Sequence, residues 1–277
     1  MIDARWHVVA VDPSTARALS DRRWGAFFVS FIYELHQELL LGKPGEVFVG
    51  ILSLFLLLSI GTGLYLWWPA PGKIRRALSF QSGGSPIRRQ YDVHKLGGLA
   101  GALLLTLLAV TGFYLEFPEI VTSVVRWVSP VRDASTDPQP QSEPAASSIG
   151  IPPERAVAIA RTTLPDAQPM WIGLPQHARD SYSVGLRQPE EVRQAGGQSE
   201  VWIDQYTGAV LRVTDWRQFT AGETLLSWLF PLHNGEAFGL GGRWMIFGAG
   251  FTPLLLYVTA LRMWWLKRVA HTRRRVG

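Results

Sequence analysis

The 277-residue sequence contains no cysteine. This absence excludes disulfides, thiolate metal sites, iron–sulfur clusters and cysteine nucleophiles. It leaves the compartment open, because disulfide-free domains occur on either side of a membrane. A Ser/His/Asp set, a phosphate-binding loop and a metalloprotease motif are also missing, so nothing favours a hydrolase or an ATPase. The first 18 residues do not have a signal-peptide pattern, since Asp3, Arg5 and Asp12 stand where an apolar core is expected.

Charged residues are almost missing from three long segments. None stands between Glu46 and Trp68 or between Lys95 and Glu116, and after Arg243 a third apolar run contains only Arg262. An apolar run of about 20 residues is long enough to cross the hydrocarbon core of a bilayer. The sequence therefore predicts three transmembrane helices, at 45–69, 94–117 and 242–266.

The net charge of +5 is unevenly distributed along the chain. The loop 72–95 has six basic residues and one acidic residue, and the tail after residue 266 has five basic residues and no acidic one. Short loops rich in Lys and Arg remain in the cytoplasm. We therefore expect this loop and the tail to lie inside, and the N-terminus and the more acidic segment 118–235 to lie outside. Because the basic residues flank membrane segments, the charge does not indicate a nucleic-acid partner.

One unit of the sequence occurs twice. Segments 35–68 and 232–265 align without a gap, and each has a histidine 31 residues before a tryptophan. A strand–turn–strand pattern also recurs, at 6–19 and at 201–211. If both copies were complete, a fourth span and a first outer domain would stand before residue 1, so we expect a fragment or a family member that lacks this part. The matched positions in the two membrane copies are His36 and His233, Gly42 and Gly239, Gly45 and Gly242, and Thr62 and Thr259.

The segments between the apolar runs differ in composition. Residues 134–150 are low in complexity, as in a linker, and 151–215 combine a helix start at Pro152 with strand-like runs, which favours a helix on a small antiparallel sheet. The expected order is a remnant of a first outer domain (1–22), an interfacial helix (23–44), transmembrane helix 1 (45–69), a cytoplasmic basic loop (70–93), transmembrane helix 2 (94–117), a linker (118–150), the outer α+β domain (151–215), a linker with an interfacial segment (216–241), transmembrane helix 3 (242–266) and a cytoplasmic basic tail (267–277).

Several motifs together carry a family resemblance. The ERAVAIA helix and the VWIDQYTGAVLRV hairpin of 152–213 resemble a PepSY domain. The segments HKLGGLAGALLLTLLAVTGFYLEFP and LHNG…GLGGRW…LRMWW resemble the PepSY-associated transmembrane helices. The resemblance covers nearly the whole chain, although the first span of the family has no counterpart here.

The resemblance implies an α-helical membrane protein with three transmembrane helices plus a small extracytoplasmic α+β PepSY domain. It also implies a place in the bacterial inner (cytoplasmic) membrane. Some members resemble ferric-siderophore reductases, which bind b-type haem in a four-helix bundle and pass electrons across the membrane.

The candidate cofactor-binding residues are histidines, because a membrane redox protein without cysteine holds haem iron through His or Met. Two axial ligands of one iron lie on the same side of the membrane, so the repeat-related His36 and His233 form the expected outer pair for the haem iron. His94, at the inner end of the second span, is expected to serve an inner site whose partner, by family logic, stood on the missing helix. The alternative for each is an ordinary interfacial histidine. His7, His177 and His271 are expected to be structural or solvated.

The favoured function is haem-mediated electron transfer that supports reduction of a ferric siderophore or a similar outer substrate. The alternative is a membrane-anchored binding or regulatory protein without redox activity, in which the PepSY domain recognises a periplasmic peptide or protein. A third interpretation is a non-functional remnant. The expected partners are the lipid bilayer, a ferric siderophore or a periplasmic protein, and a second copy of the chain that supplies a fourth helix.

Overall fold

The computed structural model describes residues 6–132, 138–144 and 149–276, with side chains described as far as residue 272. Two β-strands and five helices precede a small α+β unit, and three more helices follow it. In chain order the elements are β1 (His7–Val11), β2 (Ala18–Arg23), α1 (Phe28–Glu38), α2 (Lys43–Trp67), α3 (Ile74–Ala77), α4 (Pro86–Glu116), α5 (Pro118–Val125), α6 (Pro153–Thr163), β3 (Gln168–Gly173), β4 (Ser181–Arg187), β5 (Ser199–Asp204), β6 (Val210–Thr214), α7 (Ala221–His233), α8 (Gly239–Ala249) and α9 (Phe251–Val276).

Three helical segments are long and apolar enough to cross a membrane, which confirms the predicted number of spans. They are Lys43–Trp67, Pro86–Glu116 and Glu236–Thr272. Helix α4 lies between the other two and packs against both α2 and α9. A Cβ at Gly97 would lie 2.6 Å from the Leu255 side chain, and one at Gly101 would lie 2.6 Å from Thr252. These glycines therefore allow α4 and α9 to approach closely, as the small-residue pattern indicates.

Two helices have other bounds than the membrane spans expected from the sequence. Helix α4 begins at Pro86, where the Ser85 hydroxyl accepts a hydrogen bond from the N–H of Arg88. His94 therefore lies two turns inside a helix rather than at its start, and the 70–93 segment contains α3 and the first turns of α4. The third span is divided at Gly250 into α8 and α9, because Pro253 has no N–H to donate to the carbonyl group one turn back.

The sheet of the α+β unit has the order β3-β4-β5-β6, and every neighbouring pair is antiparallel. These four strands are the strand-like runs expected within 151–215. Helix α6 covers one face, where Ala156 and Ala160 pack against the sheet residues Val184, Val201 and Ile203. Such a small core needs the small alanine side chains, because they allow the helix to lie close to the sheet.

The N-terminal hairpin β1–β2 repeats the geometry of the β5–β6 turn. The Oδ1 atom of Asp12 accepts a hydrogen bond from the N–H of Ser14 at 2.8 Å. The corresponding Asp204 Oδ1 accepts one from the N–H of Tyr206, also two residues later, at 2.9 Å. Both aspartates therefore act as turn-forming residues.

The membrane repeat is also visible in the backbone. Gly42 has φ 65° and ψ −147°, and its repeat partner Gly239 has φ 60° and ψ −147°, a combination that is nearly restricted to glycine. A Cβ at Gly45 would lie 1.7 Å from the carbonyl oxygen of Glu38, and one at Gly242 would lie 2.2 Å from that of Gly235. In both copies the second glycine thus contacts the backbone seven residues earlier, so the copies share one turn geometry between the histidine-bearing helix and the span.

Contacts between α7 and the segments before it position the α+β unit beside the membrane helices. The Arg132 guanidinium donates to both carboxylate oxygens of Glu223, at 2.6 and 3.3 Å. Thr220 and Glu223 form a capping box at the start of α7. Gln198, next to β5, donates from Nε2 to the Ser227 carbonyl at 2.9 Å. The sheet therefore lies at the end of the bundle where α7 ends in His233.

The expected linkers are only partly free of regular structure. Helix α5 lies within 118–150, and α7 lies within 216–241. Residues 133–137 and 145–148, most of which belong to the low-complexity segment, lie outside the described residues.

Candidate functional site

His36 and His233 lie next to each other, although they are far apart in the chain. His36 is in the last turn of α1, and His233 is the last residue of α7. Their ring centroids are 6.2 Å apart, and the ring planes make an angle of 42°. The structure therefore brings together the two histidines that the repeat relates, at the end of the bundle that contacts the sheet.

The fully buried Thr111 on α4 fixes the orientation of His233. The Thr111 hydroxyl donates to the Leu107 carbonyl at 2.7 Å, and His233 Nδ1 lies 2.9 Å from the same hydroxyl oxygen. Since a hydroxyl has one proton and uses it on Leu107, the oxygen accepts the hydrogen bond from Nδ1–H. His233 then has its proton on Nδ1 and a free lone pair on Nε2, which is the form that ligates metals.

The surroundings of His233 keep its imidazole neutral. Burial and, to a smaller extent, the neighbouring His36 lower the pKa of His233 to about 4 from the ordinary 6.5. Gly112, beside Thr111, gives the ring room, because a Cβ there would lie 3.3 Å from Cε1 of His233. At neutral pH, His233 is therefore an uncharged, oriented donor of one nitrogen lone pair.

The separation of the two rings matches the spacing of two axial histidines on one metal ion. Metal–nitrogen bonds of about 2 Å on opposite sides of one ion, plus ~1 Å from each nitrogen to its ring centre, give a centroid separation of about 6 Å. The observed separation is 6.2 Å. Among the described residues, no group of three or more His, Cys, Asp or Glu could hold a metal ion. Two histidines are, however, the whole protein contribution to a bis-histidine haem, because the porphyrin supplies the other four nitrogens.

His94 does not join this pair. His94 and Thr111 lie on the same helix, α4, and are about 25 Å apart at 1.5 Å per residue. Because Thr111 contacts His233, His94 is far from the pair. Its Nδ1 lies 2.9 Å from the hydroxyl oxygen of Thr259 on α9, and that hydroxyl donates to Leu255. The contact mirrors the one between His233 and Thr111, and it leaves Nε2 of His94 as the ring nitrogen without a hydrogen bond in the described part of the chain. Among the residues that the structure describes, no second histidine and no methionine lines the cavity next to His94.

The remaining histidines have other neighbours. Nδ1 of His7 lies 2.8 Å from Asp21 in the N-terminal hairpin, and Nδ1 of His177 lies 3.1 Å from Asp180 in a loop of the α+β unit. His271 is exposed in the last turns of α9. None of the three lies at the His36–His233 pair.

The sequence analysis missed the role of Thr111 and Thr259, because a threonine hydroxyl in a helix ordinarily bonds to a carbonyl group one turn back. Those bonds exist, but each hydroxyl also accepts from a histidine of another helix. A signal was available, since a threonine recurs at the same place in all three spans, at Thr62, Thr111 and Thr259. The histidine partners of Thr111 and Thr259 are far away in sequence, so only the packing of α4 against α7 and α9 reveals them.

The spans, the sheet with its single helix and the paired histidines define a multi-pass membrane protein with a small α+β domain. A search of curated proteins found no match. A family model, described as the PepSY-associated TM region, matches residues 2–267. The chain belongs to this family, as its motifs indicate.

Proposed function

We propose that this chain is a haem-binding electron-transfer protein of the bacterial inner membrane. His36 and His233 would hold one b-type haem, and the protein would support reduction of a ferric siderophore or a similar substrate on the outer side. The observation that carries the proposal is that the ring centroids of the repeat-related His36 and His233 lie 6.2 Å apart. Thr111 holds His233 in the tautomer that ligates metals.

The charge distribution supports the orientation of this site. The basic loop and the basic residues of α9 lie at the ends of the helices that are remote from His36 and His233. Because short loops rich in Lys and Arg remain in the cytoplasm, the proposal assigns the histidine pair and the PepSY domain to the extracytoplasmic side. An outer substrate would then bind between the domain and the membrane surface.

The residues of the chain have separable tasks in this proposal. His233 offers Nε2 because its Nδ1 proton is held by Thr111, and its low pKa keeps that nitrogen free of a second proton. His36, on a separate and more exposed helix, offers the opposite ligand. When bound, the haem would supply a one-electron couple, whose potential depends on its axial ligands and on the surrounding dielectric.

Absorbance spectroscopy of the full chain, purified in detergent and reconstituted with haem, tests the ligation. We expect a sharp reduced α-band after dithionite, as for a bis-histidine b-type haem. His36→Ala and His233→Ala should each abolish it, because one axial ligand is lost. His177→Ala is the control, since this exposed histidine lies in the α+β unit. If the band persists in both ligand variants, the pairing is refuted; if no haem binds, a binding or regulatory role replaces the redox proposal.

The substrate class needs a separate measurement. Dithionite-reduced protein, freed of excess reductant, is mixed anaerobically with a ferric hydroxamate siderophore and a ferrous-iron chelator. We expect the haem to reoxidise while the chelator traps one ferrous ion per haem, because each haem gives one electron. A haem that stays reduced would contradict this substrate class and leave the ligation result intact.

A further inference from the structure

An apolar cavity of about 470 Å³ lies between α2 and α4 at the end of the bundle that is remote from His233. Small residues leave the space open, notably Gly63 and Ala102, and leucines line its walls. The cavity runs along α2 from Leu56 to Trp67. This stretch of helix spans about 16 Å, which matches the ~15 Å of hydrocarbon in one leaflet of a bilayer.

A basic pocket of about 230 Å³ adjoins this cavity, and the two share Trp67, Tyr91 and Lys95. Four cations line the pocket: Lys73, Arg76, Arg88 and Lys95. The fully buried Asp92 pairs with two of them, Arg88 and Lys95. In the described part of the chain, Lys73 and Arg76 have no ion-pair partner, so the pocket has an excess of positive charge.

An unpartnered polar atom lies where the two spaces meet. The indole Nε1 of Trp67 is buried and has no hydrogen-bond partner among the described residues. A buried donor without an acceptor costs free energy, and Trp67 lines both the apolar cavity and the basic pocket. A ligand with an acceptor oxygen at this level would remove that cost.

From these features we infer that α2, α4 and the basic loop form a binding site for one anionic phospholipid. An acyl chain would fill the cavity from Trp67 towards Leu56, the phosphate would lie between Lys73 and Arg76, and an oxygen of the headgroup region would accept from Trp67 Nε1. Basic pockets beside membrane helices attract anionic lipids in this way. A bis-histidine haem does not fit this cavity as well as a lipid does, because His94 is the one histidine among the residues that line it. The inference does not depend on haem at His36 and His233.

Native mass spectrometry of the delipidated full chain tests the site, with added phosphatidylglycerol or phosphatidylcholine. We expect one phosphatidylglycerol to be retained and phosphatidylcholine to be lost. Lys73→Gln with Arg76→Gln should weaken retention about 30-fold, from two lost charges near the headgroup. Arg75→Gln with Arg89→Gln is the matched control, because it removes the same charge from the same loop outside the pocket.

A second pair of variants tests the apolar part. Gly63→Phe should block the cavity and abolish retention, whereas Gly61→Phe, at an open position outside its lining, should not. Trp67→Phe should weaken binding while it keeps an aromatic ring. Inorganic phosphate serves as a further arm: if it displaces the lipid at millimolar concentration, the pocket is an anion site and the lipid assignment fails.

Three other results would overturn the inference. The first is equal retention of the two lipids, and the second is an equal loss in both double-charge variants. The third is haem that co-purifies with the chain and disappears in His94→Ala, which would make this cavity a cofactor site. His36→Ala should leave lipid retention unchanged, so that failure of the haem proposal and failure of this inference are distinguishable.

Discussion

At the scale of single residues, the candidate site depends on threonines that orient the histidine rings by hydrogen bonds. The Thr111 hydroxyl has no further proton to give, so it can only accept from His233 and thereby sets the tautomer. Thr259 does the same for His94. The histidines supply nitrogen atoms, and the threonines decide which nitrogen is available.

Thr111→Val should weaken haem retention by about 10- to 100-fold, the usual effect of losing a hydrogen-bond partner of a metal ligand. The valine keeps the volume but does not accept from Nδ1–H of His233. The measurements are haem content per protein after dilution and the midpoint reduction potential. Thr106→Val is the matched control, since the Thr106 hydroxyl bonds to Ala102 within α4, and Thr111→Ser should restore the wild-type values. Equal losses in the Thr106 and Thr111 variants would show a general packing effect instead.

The stability of the haem-free protein should depend on pH through His233. Its pKa is lowered to about 4 in the folded state, against 6.5 for an ordinary histidine. Between these values the unfolded chain binds the additional proton, so the free energy of unfolding should fall as pH falls from about 6.5 to about 4.

Thermal unfolding at pH 7 and pH 5 checks this dependence. The loss of stability on acidification should be smaller in His233→Gln than in the wild type, and His177→Gln should behave as the wild type. An unchanged pH dependence in His233→Gln would mean that other groups are responsible.

At the scale of elements, the repeat is a structural unit and not only a similarity of letters. Each copy has a helix that ends near a histidine, a glycine with positive φ, and a second glycine in contact with an earlier carbonyl group. The unit directs the chain from the histidine-bearing helix into the span. Its two uses place His36 and His233 at the same level.

Gly42→Ala and Gly239→Ala should each destabilise the protein by about 1–3 kcal/mol, because a Cβ strains a backbone with φ near 60°. A Cβ at either position would have no atom within 4 Å, so the cost comes from the backbone and not from a clash. Gly61→Ala, inside α2 and equally open, is the control and should be neutral or slightly stabilising. Denaturation in detergent measures all three. Losses as small as that of Gly61→Ala would contradict the assigned conformation.

At the scale of the whole molecule, α4 connects the two ends of the bundle. It contacts α9 near His94 and the end of α7 near Thr111. The PepSY domain lies at the α7 end, and the basic loop with its adjoining cavity lies at the other. This arrangement suits a membrane whose two surfaces differ, since each end of the bundle has its own charge and its own candidate ligand.

The absence of cysteine makes the orientation directly measurable. In spheroplasts, a single cysteine introduced as His177→Cys should react with a membrane-impermeant maleimide, because the PepSY domain is expected outside. Arg75→Cys, in the basic loop, should react only after permeabilisation. Both positions are exposed, so accessibility to the reagent is matched. The reverse labelling pattern would invert the proposed topology.

The sequence by itself determined the number of spans, the α+β unit, the family and the two histidines to compare. These follow from local signals: apolar length, strand alternation, turn-forming aspartates such as Asp204 and a repeat without gaps. The sequence did not place the start of α4, because the polar residues before His94 have the composition of a loop. These first turns of the helix are stabilised by the buried Asp92, which pairs with Arg88 and Lys95.

Only the tertiary structure decided that the ring centroids of His36 and His233 lie 6.2 Å apart. It also decided that threonines on other helices orient His233 and His94. The contact of Trp67 with both an apolar cavity and a basic pocket likewise follows from the packing. Each of these contacts joins residues that are distant in the chain. Local patterns do not encode them, because they arise from the way the helices pack.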